Sequence, residues 1–74
     1  MQPHEKRVLK EYEELNEKSE SLISFMNSDG FKNVDRVQSG LLYAQTHVMM
    51  AYRSILVSRL ADFGIDVSEG DSNE

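Results

Sequence analysis

The sequence predicts an all-α protein, an antiparallel helical hairpin whose copies assemble into a homo-oligomer. Three observations lead to this prediction. Two long segments without an internal proline are rich in helix-forming residues. The turn-forming sequence Asn-Ser-Asp-Gly at residues 27–30 separates them. The second segment carries more apolar surface than one partner helix can cover.

The first helix is predicted from about residue 4 to residue 26. Pro3 and Glu5 are residue types favoured in a first helical turn. Apolar side chains then recur in alternating steps of four and three, which is typical of a narrow seam on one helical face. The seam contains Val8, Tyr12, Leu15, Leu22 and Met26, with Ser19 at the missing step.

A loop is predicted over residues 27–33, with Phe31 closing the end of the hairpin. Asn33 is the expected N-cap of a second helix that runs from about residue 34 to residue 63. Gly64 and Ile65 are typical of a glycine C-cap with its apolar contact. Within this helix we expect a kink or a break at Ser39-Gly40.

Two apolar stripes run along the second helix. The Val37 stripe contains Val37, Leu41, Ala44, Val48, Ala51 and Ile55, and the Leu42 stripe contains Leu42, Met49, Tyr52, Leu56, Leu60 and Phe63. The first helix can cover only one of them, and the other would remain as a large exposed apolar patch unless another copy of the chain covered it. We expect the Leu42 stripe to form the oligomer interface.

The size of the chain also favours association. A domain of 74 residues buries only about 60% of the surface of its unfolded chain, and such domains usually need a further source of stability. The sequence has no cysteine, and its two histidines lie in different elements, so we expect neither a disulfide nor a metal. We expect residues 1–66 to form one helical domain and residues 67–74 to be a disordered acidic tail.

The net charge of −5 argues against binding to polymeric nucleic acid or to an anionic membrane, because phosphate contacts need a basic face. No apolar run approaches the roughly 18–20 residues that span a bilayer, and residues 1–25 are too charged for a signal peptide. We therefore expect a soluble cytoplasmic protein. A small anionic ligand held by a few lysine or arginine side chains is compatible with this charge.

Motifs of catalysis are missing from the sequence. It has no glycine-rich phosphate loop, no HExxH pattern, and no nucleophile with a plausible base and orienting group. We therefore expect a protein that is not an enzyme and needs no cofactor.

Tyr12 has two interpretations. Its place in the seam favours core packing, whereas an aromatic ring close along the chain to Arg7 and Lys10 also suits a nucleobase with a phosphate. Arg53 and Arg59 lie near the Leu42 stripe, where they would pair either with carboxylates of another subunit or with a phosphate.

The order of these residues resembles a family of very small phage proteins that act as anti-CBASS sponges for cyclic oligonucleotides. The resemblance covers about residues 6–60. Its first block contains Arg7-Val8, Glu11-Tyr12, Glu14-Leu15, Lys18, Leu22 and Phe25. Its second block contains Phe31, Leu41-Leu42, Gln45, Met49, Tyr52, Ile55-Leu56 and Arg59.

This resemblance implies a compact homohexamer of helical hairpins in the cytoplasm of the infected bacterial host. Such proteins bind cyclic dinucleotides such as 3′,3′-cGAMP at pockets between subunits and do not cleave them, so the CBASS effector is never activated. Some members also hold cyclic trinucleotides at a separate site, for which Arg59 is the candidate here.

The resemblance also implies the ligand site. Tyr12 matches the aromatic residue that stacks on a base, with Arg7 and Val8 beside it. Asn27 stands where the family has a lysine that contacts the phosphate side of the ligand, and Lys32 in the adjoining loop is its candidate replacement. The alternative function is a small oligomeric protein–protein adaptor without a nucleotide ligand, in which Tyr12 is only a core residue.

Overall fold

The computed structural model describes residues 1–67, which form two α-helices, α1 (Pro3–Met26) and α2 (Arg36–Asp62), joined through a short 3-10 helix (Asp29–Asn33). Side chains of the two helices contact each other in opposite order along the chain. Thr46 reaches Met26 near the connection, and Phe63 packs on His4 at the other end. The predicted antiparallel helical hairpin is therefore confirmed. Neither helix in the described part of the chain is long and apolar enough to cross a membrane.

Helix α1 begins one residue before the predicted start. The backbone N–H of Gln2, the N-cap residue, donates a hydrogen bond of 3.0 Å to the carboxylate of Glu5. Pro3 occupies the first helical position, where its missing N–H costs no helical hydrogen bond. The helix ends at Met26, as predicted.

The predicted loop contains a 3-10 helix that the sequence patterns did not indicate. Phe31 in this short helix lies between the two long helices. Its ring centroid is 5.9 Å from that of Phe25 in α1 and 5.7 Å from that of Tyr43 in α2, both in edge-to-face geometry. Phe31 therefore closes the end of the hairpin, as predicted.

The start of α2 differs from the prediction. Asp35, and not Asn33, is the N-cap residue, since its carboxylate accepts a hydrogen bond of 2.9 Å from the backbone N–H of Gln38. Asn33 belongs to the 3-10 helix, and Val34 is extended, so the cap moves two residues along the chain.

Helix α2 continues without a break through Ser39 and Gly40, so the expected break at this pair is wrong, and the alternative of a kink stays a prediction. The hydroxyl of Ser39 donates a hydrogen bond of 2.9 Å to the carbonyl oxygen of Asp35. This bond lies within the first turn of the helix, where it reinforces the backbone next to the glycine.

The end of α2 confirms the glycine cap. Gly64 has a φ of 88°, in the left-handed region. The N–H of Ile65 donates to the carbonyl oxygen of Leu60, and the N–H of Gly64 donates to that of Ala61, both at 2.9 Å, which is the pattern of a Schellman motif.

Val67, which we expected at the start of the tail, is instead partly buried against the core. The rest of the predicted tail, residues 68–74, lies outside the described residues.

The core is small and lies along the predicted seam of α1. Its buried side chains are Val8, Tyr12, Leu15, Leu56 and Leu60. Leu9, Met49, Val57, Phe63 and Ile65 pack around them and are partly buried. Because only five side chains among residues 1–67 are buried, each of them contributes a large share of the stability of the hairpin.

In the single chain, most of the Leu42 stripe is not free for the oligomer interface that we predicted there, and Tyr52 is its one exposed member, at 37%. Leu56 and Leu60 of the Leu42 stripe are 0% exposed and pack on α1, so they are not available to an oligomer interface. The exposed stripe is the Val37 stripe, in which Val48 is 67% exposed. The Leu42 stripe contains no alanine and therefore buries more apolar area against α1, whereas the Val37 stripe includes Ala44 and Ala51.

Replacing Ser19 by alanine is expected to stabilise the chain. The Ser19 hydroxyl is buried in the seam and has no hydrogen-bond partner among residues 1–67. Removing it relieves an unsatisfied polar group, and alanine also favours the helix, so the free energy of unfolding should rise by about 1 kcal/mol. For a chain of this size that corresponds to a rise of about 4–8 °C in the melting temperature, measured by circular dichroism.

Ser21→Ala is the matched control for this prediction, because Ser21 is exposed on the same helix. This variant gains helix propensity but removes no buried hydroxyl. If Ser19→Ala melts no higher than Ser21→Ala, the buried hydroxyl is not a source of instability.

Candidate functional site

Three polar side chains meet between the helices near the middle of α1. The Nε–H of Arg53 in α2 donates a hydrogen bond of 2.9 Å to Oδ1 of Asn16, and its Nη2 lies 3.3 Å from the hydroxyl of Tyr12. The Cζ atom of Arg53 lies over the Tyr12 ring, 5.5 Å from the ring centroid. We call Tyr12, Asn16 and Arg53 the Tyr12 cluster.

The Tyr12 ring is only 6% exposed in the single chain. Its position agrees with the core packing that the seam predicts, and it differs from the open stacking surface that the resemblance implies. The guanidinium of Arg53 lies over the ring, where a stacked base would be expected. A base therefore reaches this ring only if Arg53 moves or if the hairpins rearrange on assembly.

The two other residues expected beside Tyr12 are placed differently. Val8 is buried in the core and offers no surface to a ligand. Arg7 is exposed, and a separation of five residues turns it about 140° around the helix from Tyr12. Lys10, two residues from Tyr12, lies on the far side of α1 for the same reason. In the single chain, neither Arg7 nor Lys10 belongs to the Tyr12 cluster.

The cation that does lie at Tyr12 was not in our predicted site. Arg53 is 41 residues away along the chain. One signal was available in the sequence: Arg53 falls between Met49 and Leu56 at the same alternating spacing of four and three that marks the buried face. A charged residue at a position where the helical seam otherwise has apolar residues is unusual. This spacing could have identified Arg53 as a candidate site residue.

Asn27 and Lys32 lie at the connected end of the hairpin. Asn27 caps α1, and Lys32 lies in the 3-10 helix, where its Nζ is 3.7 Å from Oδ1 of Asp29 in an exposed pair. Asn27 is fifteen residues beyond Tyr12, which along an α-helix is about 22 Å. One chain therefore does not bring Asn27 or Lys32 into contact with a small ligand at Tyr12.

Arg59 lies at a separate site. It lines an open groove of about 610 Å³ on the outward side of α2, together with Ser54, Ile55, Ser58, Asp62 and Phe63. Six residues separate Arg59 from Arg53, which turns the two guanidinium groups about 120° apart around the helix. Ile55 belongs to the Val37 stripe, so this groove is continuous with the exposed apolar face.

The side chains of the two sites supply hydrogen-bond donors and acceptors. A guanidinium, a phenol and an amide meet in the Tyr12 cluster, and a guanidinium, two hydroxyls and a carboxylate line the Arg59 groove. Among residues 1–67 no group of three or more histidine, aspartate or glutamate side chains is arranged to hold a metal ion. Both sites are suited to recognising a polar ligand through hydrogen bonds and ionic contacts.

Comparison with known protein families identifies the family of this chain. The sequence model of the Sequestin family matches residues 2–62, which is 61 of the 74 residues and spans both helices. Searches of curated proteins and of solved structures gave no match. The family match agrees with the sponge family that the residue order resembles, and the family name denotes sequestration rather than catalysis. The chain belongs to the Sequestin family.

Proposed function

We propose that this chain is a non-catalytic sponge that binds cyclic dinucleotides at pockets between subunits. In the cytoplasm of an infected bacterium it would keep the second messenger from its CBASS effector and so block anti-phage immunity. Membership of the Sequestin family over both helices is the observation that carries this proposal. The identity of the ligand rests on the resemblance described above.

The distances within the hairpin support a pocket between subunits. Tyr12 and Asn27 are about 22 Å apart in one chain, so a pocket that contains both needs two copies. A cyclic dinucleotide has two bases and two phosphates related by near two-fold symmetry. A pocket shared by two identical chains offers the same groups to each half, and stacking contributes about 1–3 kcal/mol per base.

The exposed Val37 stripe supports the assembly that such a pocket requires. Val37, Leu41, Val48 and Ile55 are all exposed large hydrophobic residues on one face of α2. A second copy of the chain would bury this face, and the resemblance implies a homohexamer.

Gly40 gives further support to the assembly. A glycine within a helix costs about 1 kcal/mol relative to alanine. A Cβ atom added at Gly40 would meet nothing within 4 Å, so packing within the chain does not require the glycine. The close approach of a helix from a second subunit at this face would explain why a small residue is suitable there.

The Arg59 groove supports a second ligand, a cyclic trinucleotide. Its volume of about 610 Å³ lies within the range of small-molecule sites, about 300–1,000 Å³. Arg59 supplies a guanidinium for a phosphate, and Ser54 and Ser58 supply hydroxyls. This groove contains none of the residues of the Tyr12 cluster, so the two ligands would contact different side chains.

The alternative function is a protein–protein adaptor, in which the Val37 stripe covers a different protein and Tyr12 serves only the core. The exposure of that stripe is compatible with either partner. The two functions differ in one measurable property, since only the sponge binds a free cyclic nucleotide.

Isothermal titration of the purified protein with 3′,3′-cGAMP tests the proposal. We expect saturable binding with a dissociation constant below about 1 μM, equivalent to a binding free energy beyond about −8 kcal/mol. Mass spectrometry should recover the ligand intact. The linear dinucleotide of the same bases is the control and should bind at least about tenfold more weakly, because it is not held in the closed shape.

Two results would contradict the sponge. Absence of binding by any cyclic dinucleotide would favour the adaptor. Recovery of a cleaved ligand would show an enzyme.

A further inference from the structure

Arg53 is a charged residue on the face of α2 that packs on α1. It lies between Met49 and Leu56 and is partly buried. Placing a guanidinium there has a desolvation cost, and well-packed apolar residues at such positions are often at least as stabilising. The guanidinium also makes polar contacts with α1, so the role of Arg53 in the hairpin is not that of an apolar packing residue.

The contacts of Arg53 place its charge at the Tyr12 ring. Asn16 accepts the Nε–H at 2.9 Å, which fixes the orientation of the planar guanidinium. The contact of Nη2 with the Tyr12 hydroxyl is longer, at 3.3 Å. The Cζ atom lies over the ring, 5.5 Å from its centroid. The guanidinium therefore lies where a base stacked on Tyr12 would have to lie.

We propose that Arg53 covers the Tyr12 ring in the ligand-free chain and moves from the ring to a phosphate of the ligand when a base takes its place. This inference rests on the proposed function. The guanidinium fork matches phosphate oxygens in a bidentate geometry, which a lysine does not. Arg53 is thus a ligand-binding residue of the Tyr12 site.

The exchange offers a replacement for both contacts between Arg53 and Tyr12. The ring gives up a cation–π contact and receives a stacked base. The guanidinium gives up the long contact with a neutral phenol and receives a charge-assisted contact with a phosphodiester. The exchange also makes Asn27 compatible with phosphate binding. The positive charge for the phosphate comes from Arg53, in α2 of the subunit that carries Tyr12.

Arg53→Gln tests this inference by removing the charge while keeping a polar side chain of similar reach. We expect its affinity for 3′,3′-cGAMP in isothermal titration to fall about 10- to 100-fold, which is the usual effect of losing a hydrogen-bonded ion pair. Arg53→Lys keeps the positive charge but not the forked guanidinium group, so its loss of affinity should be smaller. The affinity of Arg53→Gln should also depend less steeply on salt concentration than that of the natural chain, because one ionic contact is missing.

Arg36→Gln is the matched control, since Arg36 is exposed in the first turn of the same helix. It removes the same charge from the chain and should leave the affinity and its salt dependence unchanged. Equal affinities for the Arg53→Gln and Arg36→Gln variants, both folded by circular dichroism, would overturn the inference.

A second measurement decides the matter if Arg53→Gln does not fold. In nitrogen-15 spectra of the natural chain, the Nε–H signal of Arg53 should shift when 3′,3′-cGAMP is added, and that of Arg36 should not. A bound ligand that leaves the Arg53 signal in place would overturn the role of Arg53 but not the sponge. A natural chain that binds no cyclic dinucleotide would overturn the proposed function, and this inference with it.

Discussion

Replacing Val48 by glutamate is expected to convert the proposed assembly into folded monomers of 8.5 kDa that no longer bind cyclic dinucleotides. Val48 is 67% exposed in the single chain and lies in the middle of the Val37 stripe. Its side chain contributes little to the hairpin, so the helices should be retained. In the assembly, however, the carboxylate would be buried without a partner, at a cost of several kcal/mol.

Sedimentation velocity at micromolar concentration measures the mass, circular dichroism measures the helix content, and titration with 3′,3′-cGAMP measures binding. The matched control is Ser21→Glu, which adds the same charge to the exposed face of α1. This control should remain assembled and should bind normally. If the Val48→Glu variant keeps the mass of the natural chain, the Val37 stripe is not the interface between subunits.

The two helices were predictable because their signals are local. The seam of α1 follows a spacing that only a helix brings to one face, and Gly64 with Ile65 ends α2 through bonds between near neighbours. The start of α2 was less predictable, because Asn33 and Asp35 are both good cap residues. The choice between them depends on the 3-10 helix that Phe31 forms on contacting both long helices, and such contacts are not local.

The stripe that faces α1 was not predictable from periodicity. Both stripes of α2 have the spacing of a buried face, and spacing says only that each of them is apolar. The two differ in the size of their side chains, since alanines reduce the area that the Val37 stripe can bury. The charged step at Arg53 adds to this difference, because its hydrogen bonds to Asn16 and Tyr12 can form only when that face meets α1.

The candidate site was also predictable only where it depends on residues that are close in sequence. Tyr12 was identified from its own helix, whereas its cation was expected from Arg7 or Lys10 because they are close in sequence. Closeness in sequence does not place two side chains on the same helical face, and the separations of five and two residues turn these cations away from Tyr12. The guanidinium at the ring comes from α2, at a position that only the pairing of the helices reveals.

Leu56→Ala is expected to remove a large fraction of the free energy of unfolding of the hairpin. Leu56 is 0% exposed and is one of two leucines through which α2 fills the core. Truncating such a side chain costs about 2–5 kcal/mol through lost burial and the cavity that remains. A domain of this size has a total stability of only about 4–11 kcal/mol, so the loss is a large fraction of it. Alanine favours the helix more than leucine does, so a loss of stability would reflect packing alone.

Ile55→Ala is the matched control, because Ile55 is the neighbouring residue but belongs to the exposed Val37 stripe. Circular dichroism and urea denaturation at several protein concentrations distinguish the two variants. Leu56→Ala should denature at a lower urea concentration than the natural chain at every protein concentration, because the hairpin itself is weakened. Ile55→Ala should keep its helices and show a stability that falls on dilution, because only association is weakened. Identical denaturation midpoints for the two variants would mean that the hairpin and the assembly do not use opposite faces of α2, and the intersubunit pocket would then need a different surface.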